Sequence, residues 1–531
     1  MDNFITRFFD KSKIQKIKNK WGKESKQKRN FKQISGLFSE LKKYEEIDFF
    51  IDDQTFEDLN MKDIFSKIDR TNTTVGQQVL YNILRTPLLD EEKLRLRDKY
   101  IEFFQNNPKE REKVELELFK IGKSNSEVFD LIWDDLDGDK NIKYLFYILP
   151  CISIALIGSI FVVGFSKVML PLVLDFALNT YFHFKTQTVI GAYVNSIKYL
   201  GAIIKGAGKI GNLNIDELKE YGKILKENSN ACKEITKKSG LLGESNLGEL
   251  ADSIRQYINV LFLVEERAYF RVIGKLKDKK EELKKIYLTL GEVDSLISVA
   301  SYREELQEYC KPELIHEGKF IEAKNLKHPL VENAIGNDVH MNNKGIILTG
   351  SNMSGKSTFL RTIGVNSVLA QSILTCTADE YKASYFHILS SISPSDNLVS
   401  GKSYYFGEVE ALLRIIKKCN EEVPTLALID EIFRGTNPVE RISAALEILK
   451  YLDKNNCLVT VATHDLELTK LLVEEYDSYY FREEVEGDKL IFDYLIKKGV
   501  SPTRNAIRIL KFIGYPQEIV ENAEKRILNC D

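Results

Sequence analysis

The stretch IILTGSNMSGKS at residues 346–357 constrains this chain more than any other, because it joins a short apolar run to a glycine-spaced loop ending in lysine and serine. Ile346–Leu348 reads as a buried strand, and residues 358–373 carry the apolar spacing of a helix. A strand, a loop and a helix in that order build an α/β sheet. Gly350 and Gly355 let the loop backbone fold tightly enough for its N–H groups to face a phosphate. In that reading Lys356 reaches the β/γ oxygens of a nucleoside triphosphate and Ser357 reaches Mg2+, while the helix N-terminus points at the phosphates. A glycine-rich turn that binds nothing is the bland alternative.

That alternative weakens at TLALIDE, residues 425–431. Leu426–Ile429 is the unbroken apolar run expected of a central parallel strand, and Asp430 and Glu431 follow at its C-terminal end, where open α/β sheets place their chemistry. Asp430 reads as an outer-sphere Mg2+ ligand and Glu431 as the carboxylate that orients or deprotonates the attacking water. Two carboxylates closing a strand can also be helix caps. A third strand, Cys457–Ala462, is expected at the edge of the same sheet and leads into Thr463 and His464. An imidazole there can touch the γ-phosphate or the water; a lone histidine after a strand is more often structural, and only this position favours a switch role. Between these elements lies SGKSYYFGE, 400–408, before a helical pattern over Val409–Cys419. Such a segment can meet the γ-phosphate of a nucleotide held by a second subunit, or simply start a helix. Spacing alone does not separate the two.

With NMSGKST, SGKSYYFGEVE, LIDEIFRGTNP and ATHDLEL in this order, the chain resembles the ATPases of the MutS mismatch-repair family. It is less similar to transporter ATPases, which carry an LSGGQ-like signature and a proline after the Asp-Glu pair, where this chain has Ile432. Residues 64–97 resemble the start of the family's core or lever domain, 290–305 the long helix leading back to the ATPase, and 497–527 the helix-turn-helix through which its ATPases dimerise. The resemblance implies an α/β P-loop NTPase domain, ABC-ATPase-like and of MutS type, at the C-terminus, preceded by an all-α core or lever domain. It implies that Gly350, Ser351, Asn352, Met353, Ser354, Gly355, Lys356, Ser357 and Thr358 surround the nucleotide. Ser357 and Asp430 would serve the metal, with Lys356, Glu431 and His464 in hydrolysis. Ser403 would be given in trans to the partner subunit's nucleotide, and Arg434, Gly435, Thr436 and Asn437 would form a loop across the dimer interface. Ser351 replaces a proline usual in the family, which should change loop stiffness more than binding.

Mismatch-detecting relatives carry an N-terminal domain with a Phe-x-Glu wedge. Here about sixty residues precede the core, and Phe38-Ser39-Glu40 matches three letters without a domain around them, so wedge-type mismatch reading is not expected. Nor is a nuclease domain expected after the helix-turn-helix. Seven scattered cysteines without a CxxC pair suit a reducing cytoplasm rather than a disulfide framework or a zinc ribbon, and six histidines are too sparse for a metal cluster.

Residues 1–43 hold 13 Lys/Arg against 4 Asp/Glu, with Phe4, Phe8, Phe9, Ile14, Ile17 and Trp21 interleaved. This arm could lie on an anionic membrane, touch nucleic-acid phosphates, or be a solvated helix. It has no apolar core of the kind a secretory signal needs. Residues 144–164 form an uncharged run of 21, enough to cross ~30 Å of hydrocarbon, and 168–184 supply 17 more around Asp175. With Phe165, Ser166 and Lys167 between them, the two runs read as a membrane hairpin; two buried core helices are the competing reading, which Asp175 supports. Lys140, Lys143 and Lys185 put both chain halves in the cytoplasm. Ser253–Leu288 reads as a long charged helix, and the arms look short for a clamp that closes around DNA. The entrance to the ATPase sheet at 322–338 is where a base could pack, without an assignable contact.

The expected segments are a basic arm at 1–58, a helical core over 59–315 with the hairpin at 144–184, and the ATPase at 316–531 with its dimerisation segment at about 494–531. The expected activity is Mg-ATP hydrolysis by a homodimer that binds mismatched, branched or damaged DNA. The alternative is a membrane-anchored ATPase acting on a protein or lipid partner. The expected location is the cytoplasmic side of the cell membrane, or the cytoplasm if the hairpin is core.

Overall fold

The computed structural model describes residues 2–44, 47, 49–134, 140–239, 257–306, 308–351, 354–392, 404–434, 436–486, 489–500 and 513–528. The chain folds as two compact units, one of Met1–Glu45, Asp69–Asn82 and Tyr100–Ser301, the other of Glu46–Ile68, Ile83–Lys99 and Tyr302–Asp531. The division is interleaved along the sequence, whereas the expected segments 1–58, 59–315 and 316–531 are consecutive.

The second unit holds every described strand: β1 Glu313–Ile315, β2 Phe320–Leu326, β3 Asn337–Asn342, β4 Gly345–Thr349, β5 Glu380–Ser384, β6 His387–Ser391, β7 Thr425–Asp430, β8 Cys457–Ala462, β9 Tyr476–Tyr480, β10 Glu483–Glu486, β11 Lys489–Phe492 and β12 Lys497–Lys498. Its main sheet runs β12-β9-β4-β8-β7-β6, parallel except for β12. Helices Lys356–Ile373 after β4, Tyr404–Lys418 before β7 and Pro438–Lys454 before β8 supply the crossovers that parallel strands need. A second sheet, β1-β5-β2-β3, carries the approach to β4. The expectation that Cys457–Ala462 lies at the sheet edge is corrected. β8 sits between β4 and β7, and all six of its residues are buried because both faces are covered.

One edge of the sheet is β6. It is covered by a segment from far upstream: the Asp58 carboxylate accepts from Ser390 Oγ at 2.7 Å and Ile392 N at 2.9 Å, while Thr55 Oγ1 accepts from Ser390 N at 3.1 Å. Backbone groups that would invite another strand are thereby satisfied within the unit.

All described elements of the first unit are helical. Helix Lys280–Glu305 approaches helix Thr74–Arg85 closely: a Cβ at Gly76 would lie 2.2 Å from Asp294 Oδ2, and one at Gly291 2.3 Å from Val79 Cγ2. The proximity lets buried Asp294 accept from Asn72 N, Thr73 N and Thr73 Oγ1, satisfying donors that a helix start leaves open. The long helix expected over Ser253–Leu288 is also corrected. Leu263 adopts a left-handed conformation (φ 49°) and Lys279 ends Val264–Asp278, so two breaks interrupt it. Asn259 Oδ1 accepts from Glu265 N at 2.8 Å, a side-chain cap that stabilises the first break.

The apolar hairpin consists of helices Lys140–Val163 and Phe165–Gly211. Gly164, at φ 90°, makes the turn, so Phe165–Lys167 begin the second helix rather than forming the loop, and that helix runs 27 residues beyond position 184. Tyr144–Val163 is one helix of 20 residues long and apolar enough to cross a bilayer. Its lateral surface is open: Phe161 is 89% and Val162 87% exposed, and Leu170 on the second helix is 69% exposed. The opposite side is covered: Phe146 and Leu149 are buried in a cluster with Leu263. Polar atoms turn inward. Ser153 Oγ donates to Asp175 Oδ2 at 2.6 Å, and Asn179 Nδ2 donates to Ser153 Oγ at 3.0 Å and to the Leu261 carbonyl at 3.2 Å.

Candidate nucleotide site

The C-terminal ends of β4, β7 and β8 converge because the three strands are parallel neighbours. After β4 the loop begins at Gly350, φ 142°, where a Cβ would lie 2.6 Å from the Phe481 carbonyl oxygen. It ends at Gly355, φ 111°, the residue capping helix Lys356–Ile373. Only glycine enters these conformations without strain. Lys356, 6% exposed, donates from Nζ to the carbonyls of Gly350 at 2.9 Å and Ser351 at 2.7 Å, and so curls back over the loop. Ser354 Oγ is buried and has no hydrogen-bond partner among the described residues. An orphaned hydroxyl beside a lysine and a helix N-terminus fits an anionic oxygen acceptor. Asn352 and Met353 lie outside the described residues, as do Ser403, Gly435 and 501–512 of the expected helix-turn-helix.

Ser357 Oγ donates to Asp430 Oδ2 at 2.5 Å, joining the helix start to the end of β7. The donor set, one hydroxyl and one carboxylate, is the hard-oxygen pair that suits Mg2+. Glu431 follows at φ 62°, held by its N–H to the Ala462 carbonyl at 2.8 Å. A non-glycine residue with positive φ is uncommon, and here it swings the carboxylate out of the strand direction. Glu431 Oε1 lies 3.3 Å from His464 Nε2 and Oε2 lies 3.1 Å from Arg434 Nε. His464 is held below its ordinary pKa of 6.5 by burial first and Lys356 second, against the opposing pull of Glu431 and Asp430.

Two groups of this cluster make contacts within the chain that the spacing did not show. Arg434 Nη2 donates to the Asp430 carbonyl at 2.8 Å, so its guanidinium faces Glu431 within the same chain as well as belonging to the loop 434–437. Glu408 Oε2 accepts from Arg434 N at 3.1 Å; burial raises its pKa, while the N–H and guanidinium of Arg434 work in the opposite direction. The signal was present in part, since Glu408 closes the singled-out segment 400–408. Nothing in the spacing connects it to residue 434.

Beside the loop lies a cavity of about 370 Å3 lined by Leu326, His328, Val331, Ile335, Thr358, Phe359, Phe481 and Tyr494 among others. Phe359 and Phe481 meet edge to face at 5.7 Å between ring centroids. Asn337 fastens the far wall by donating to the Tyr494 carbonyl at 3.0 Å and accepting from Ile496 N at 2.8 Å. An apolar slot with aromatic walls, next to a phosphate-type loop, has the shape and chemistry for a purine.

His328 gives this wall a pH dependence. Its pKa is pushed down to about 4 by burial and then by Arg361, and its Nδ1 accepts from Leu330 N at 3.2 Å. His387 is likewise pushed down to about 4, by burial and Lys418. For a depressed imidazole the unfolded chain binds the extra proton, so the stabilisation is complete above about 6.5 and is lost as pH falls toward about 4. For His328 this is on the order of 3 kcal/mol. Thermal melts from about pH 7.5 to about pH 4.5 should show a falling midpoint, and His328→Asn should flatten the fall. An unchanged pH profile in that variant would exclude His328 as its source.

With this geometry in view, comparison with known proteins is informative. Residues 346–530 match the family described as MutS domain V. The chain is similar to DNA mismatch repair protein MutS of Thermotoga petrophila, 32% identical over 269 residues that cover 49% of this chain and 33% of the relative. It is also similar to the MutS proteins of Petrotoga mobilis, 26% identical over 90% of this chain and 64% of the relative, and of Fusobacterium nucleatum, 27% identical over 86% and 56%. Each of the three is a likeness to a MutS protein, and the family model covers the C-terminal third of the chain. The chain spans from 33% to 64% of the length of these three MutS proteins. The match to domain V covers the loop, the strand-end carboxylates and His464 together.

Proposed function

We propose that the chain is a MutS-like ATPase that couples ATP binding and hydrolysis to a change of state in a homodimer acting on DNA. The observation that carries the reading is the meeting of Lys356, Ser357, Asp430, Glu431 and His464 at three adjacent strand ends inside the region matching MutS domain V. Gly350–Thr358 would hold the phosphates, with Lys356 exchanging its two carbonyl partners for phosphate oxygens. Ser357 and Asp430 would hold Mg2+, which when bound supplies charge neutralisation. Glu431 would orient the attacking water and accept its proton, kept in place by Arg434 and His464. The cavity lined by Phe359, Phe481 and Tyr494 would take the adenine. The MutS resemblance carries the shared site with Ser403 in trans and the dimer, and DNA as partner accords with the name DNA mismatch repair protein that the relatives bear.

A second reading concerns where the ATPase acts, and the outward apolar surface of the hairpin favours it. Sixteen large, substantially exposed apolar side chains fall from Tyr144 to Phe184, whereas exposed apolar residues on a soluble monomer are usually scattered singly. Twenty helical residues reach ~30 Å, one hydrocarbon thickness. We infer that the hairpin is inserted from the cytoplasmic side, with Ser153 and Asn179 donating to Asp175 inside it. In this reading the protein is a membrane-anchored MutS-like ATPase whose partner could also be a protein or lipid.

The deciding experiment measures ATP turnover and affinity for duplex and branched DNA by the purified full-length chain at low and rising salt. Mg2+-dependent turnover with salt-sensitive DNA binding is expected. Turnover without DNA binding at low salt would leave the membrane-anchored ATPase as the reading; absence of both nucleotide binding and turnover would remove the ATPase.

A further inference from the structure

In the first unit, the C-terminal end of helix Asp2–Lys20 and the turn after it face residues 70–72 and 119–123 across a cavity of about 640 Å3. Five cations line it: Lys20, Lys23, Lys26, Arg70 and Lys123. Glu24 is the one acid in the lining. The nearby Asp69 carboxylate is buried between Arg29 Nε at 3.0 Å and Lys123 Nζ at 3.9 Å, so it offsets part of the Lys123 charge and none of that on Lys23 and Lys26. The walls are built by specific contacts: Arg70 Nε donates to the Lys23 carbonyl at 3.0 Å, and Lys123 Nζ donates to Gln27 Oε1 at 2.7 Å. Lys20 Nζ lies over the Phe119 ring at 5.7 Å from its centroid. Lys23 and Lys26 are exposed and make no ion pair among the described residues.

Like charges held together this closely repel, and Glu24 and Asp69 offset only part of the five. A concave surface of this kind stabilises a partner carrying several closely spaced anionic groups. Lipid headgroups and nucleic-acid phosphates share that chemistry, and geometry separates them. Tyr199 Oη donates to the Gly122 carbonyl at 2.8 Å, which places the cavity beside position 199 of helix Phe165–Gly211. Lys185, which closes the apolar stretch, is fourteen residues away on that helix, or ~21 Å along its axis. Even at a tilt of ~40° the cavity would stand ~16 Å above the level of Lys185, out of reach of headgroups around an inserted hairpin.

We propose that this cleft binds the phosphodiester backbone of a nucleic acid. The proposal rests on the DNA reading above and gives it a location outside the ATPase unit. Backbone contacts position a duplex without reading its sequence, so the cleft would add affinity and salt sensitivity rather than base preference.

The test compares the full-length protein with Lys23→Gln/Lys26→Gln and with a matched pair elsewhere in the same unit, Lys109→Gln/Lys205→Gln, whose side chains are exposed and outside the cleft. The probe is a fluorescently labelled DNA duplex, with affinity followed from roughly 50 to 200 mM salt. Removing two phosphate contacts should make the slope of log affinity against log salt shallower by about 1.8 in the cleft variant, and the matched pair should keep the parent slope. Binding with an unchanged slope in the cleft variant overturns the cleft and leaves the DNA reading standing. Equal loss in both pairs also overturns it, by reducing the effect to net charge. If the unsubstituted chain binds no DNA at low salt, both fall together. Loss of binding to mixed phosphatidylcholine and phosphatidylserine vesicles by the cleft variant, with DNA binding unaltered, would assign the cleft to lipid instead.

Discussion

Glu431→Gln is expected to leave ATP binding near the parent level and lower kcat by about 10^2 to 10^4-fold, the usual range for losing a positioned general base. Lys356→Ala is expected to abolish nucleotide binding. The two effects separate because the groups meet different parts of the reaction. Lys356 Nζ is held by the carbonyls of Gly350 and Ser351 at the loop itself, so its removal takes away charge needed to hold the phosphates. Glu431 is placed beyond the end of β7 by its own left-handed backbone and by Arg434 and His464. Glutamine keeps the size and can keep one of those contacts, but it accepts no proton. Equilibrium binding of a fluorescent ATP analogue and steady-state turnover measure the two quantities independently. Parent-level turnover by Glu431→Gln would take Glu431 out of the chemistry. Parent-level binding by Lys356→Ala would show that the loop backbone and helix N-terminus suffice to hold the phosphates.

These groups were legible in the sequence because their chemistry demands fixed neighbours along the chain. A strand must deliver the loop, glycines must bracket it, and a carboxylate pair must close a second buried strand. The adenine-type cavity was not legible, since its walls come from residues 326–337, 355–362, 481 and 494, and only the folded sheets bring them together. The contact between Arg434 and Glu408 escaped for the same reason: it spans 26 positions and is made by a backbone N–H, to which any residue type contributes. The edge placement of β8 failed on a different ground. A central strand and a covered edge strand show the same apolar run when both faces are buried, so the run reports burial and not order. In the helical unit, neither glycine nor proline marks the break at Leu263, which is stabilised locally by Asn259. The turn of the hairpin was displaced because Gly164 could equally end an apolar run or begin a loop, and its positive φ becomes visible only in three dimensions.

The hairpin carries the other large effect. Full-length protein is expected in the membrane fraction, resistant to carbonate and to high salt, and a chain in which residues 144–184 are replaced by a short polar linker is expected in the soluble fraction with its ATP turnover retained. High salt is the useful control, because a basic arm held by anionic headgroups alone would be released as its charges are screened, whereas apolar burial is not. Retention of turnover follows from the fold: the loop, the strand-end carboxylates and His464 all belong to the second unit, and residues 144–184 all belong to the first. The inward polar cluster sharpens the expectation. Asp175 has Ser153 and Asn179 as partners, so the acid that argued against insertion is satisfied inside the hairpin and need not face lipid. Asp175→Leu should therefore leave the full-length protein in the membrane fraction, while the outward substitutions Phe161→Lys and Leu170→Lys should weaken its retention. A full-length chain that purifies as a soluble dimer without detergent would overturn the membrane reading and turn the exposed apolar face into a surface covered by another protein.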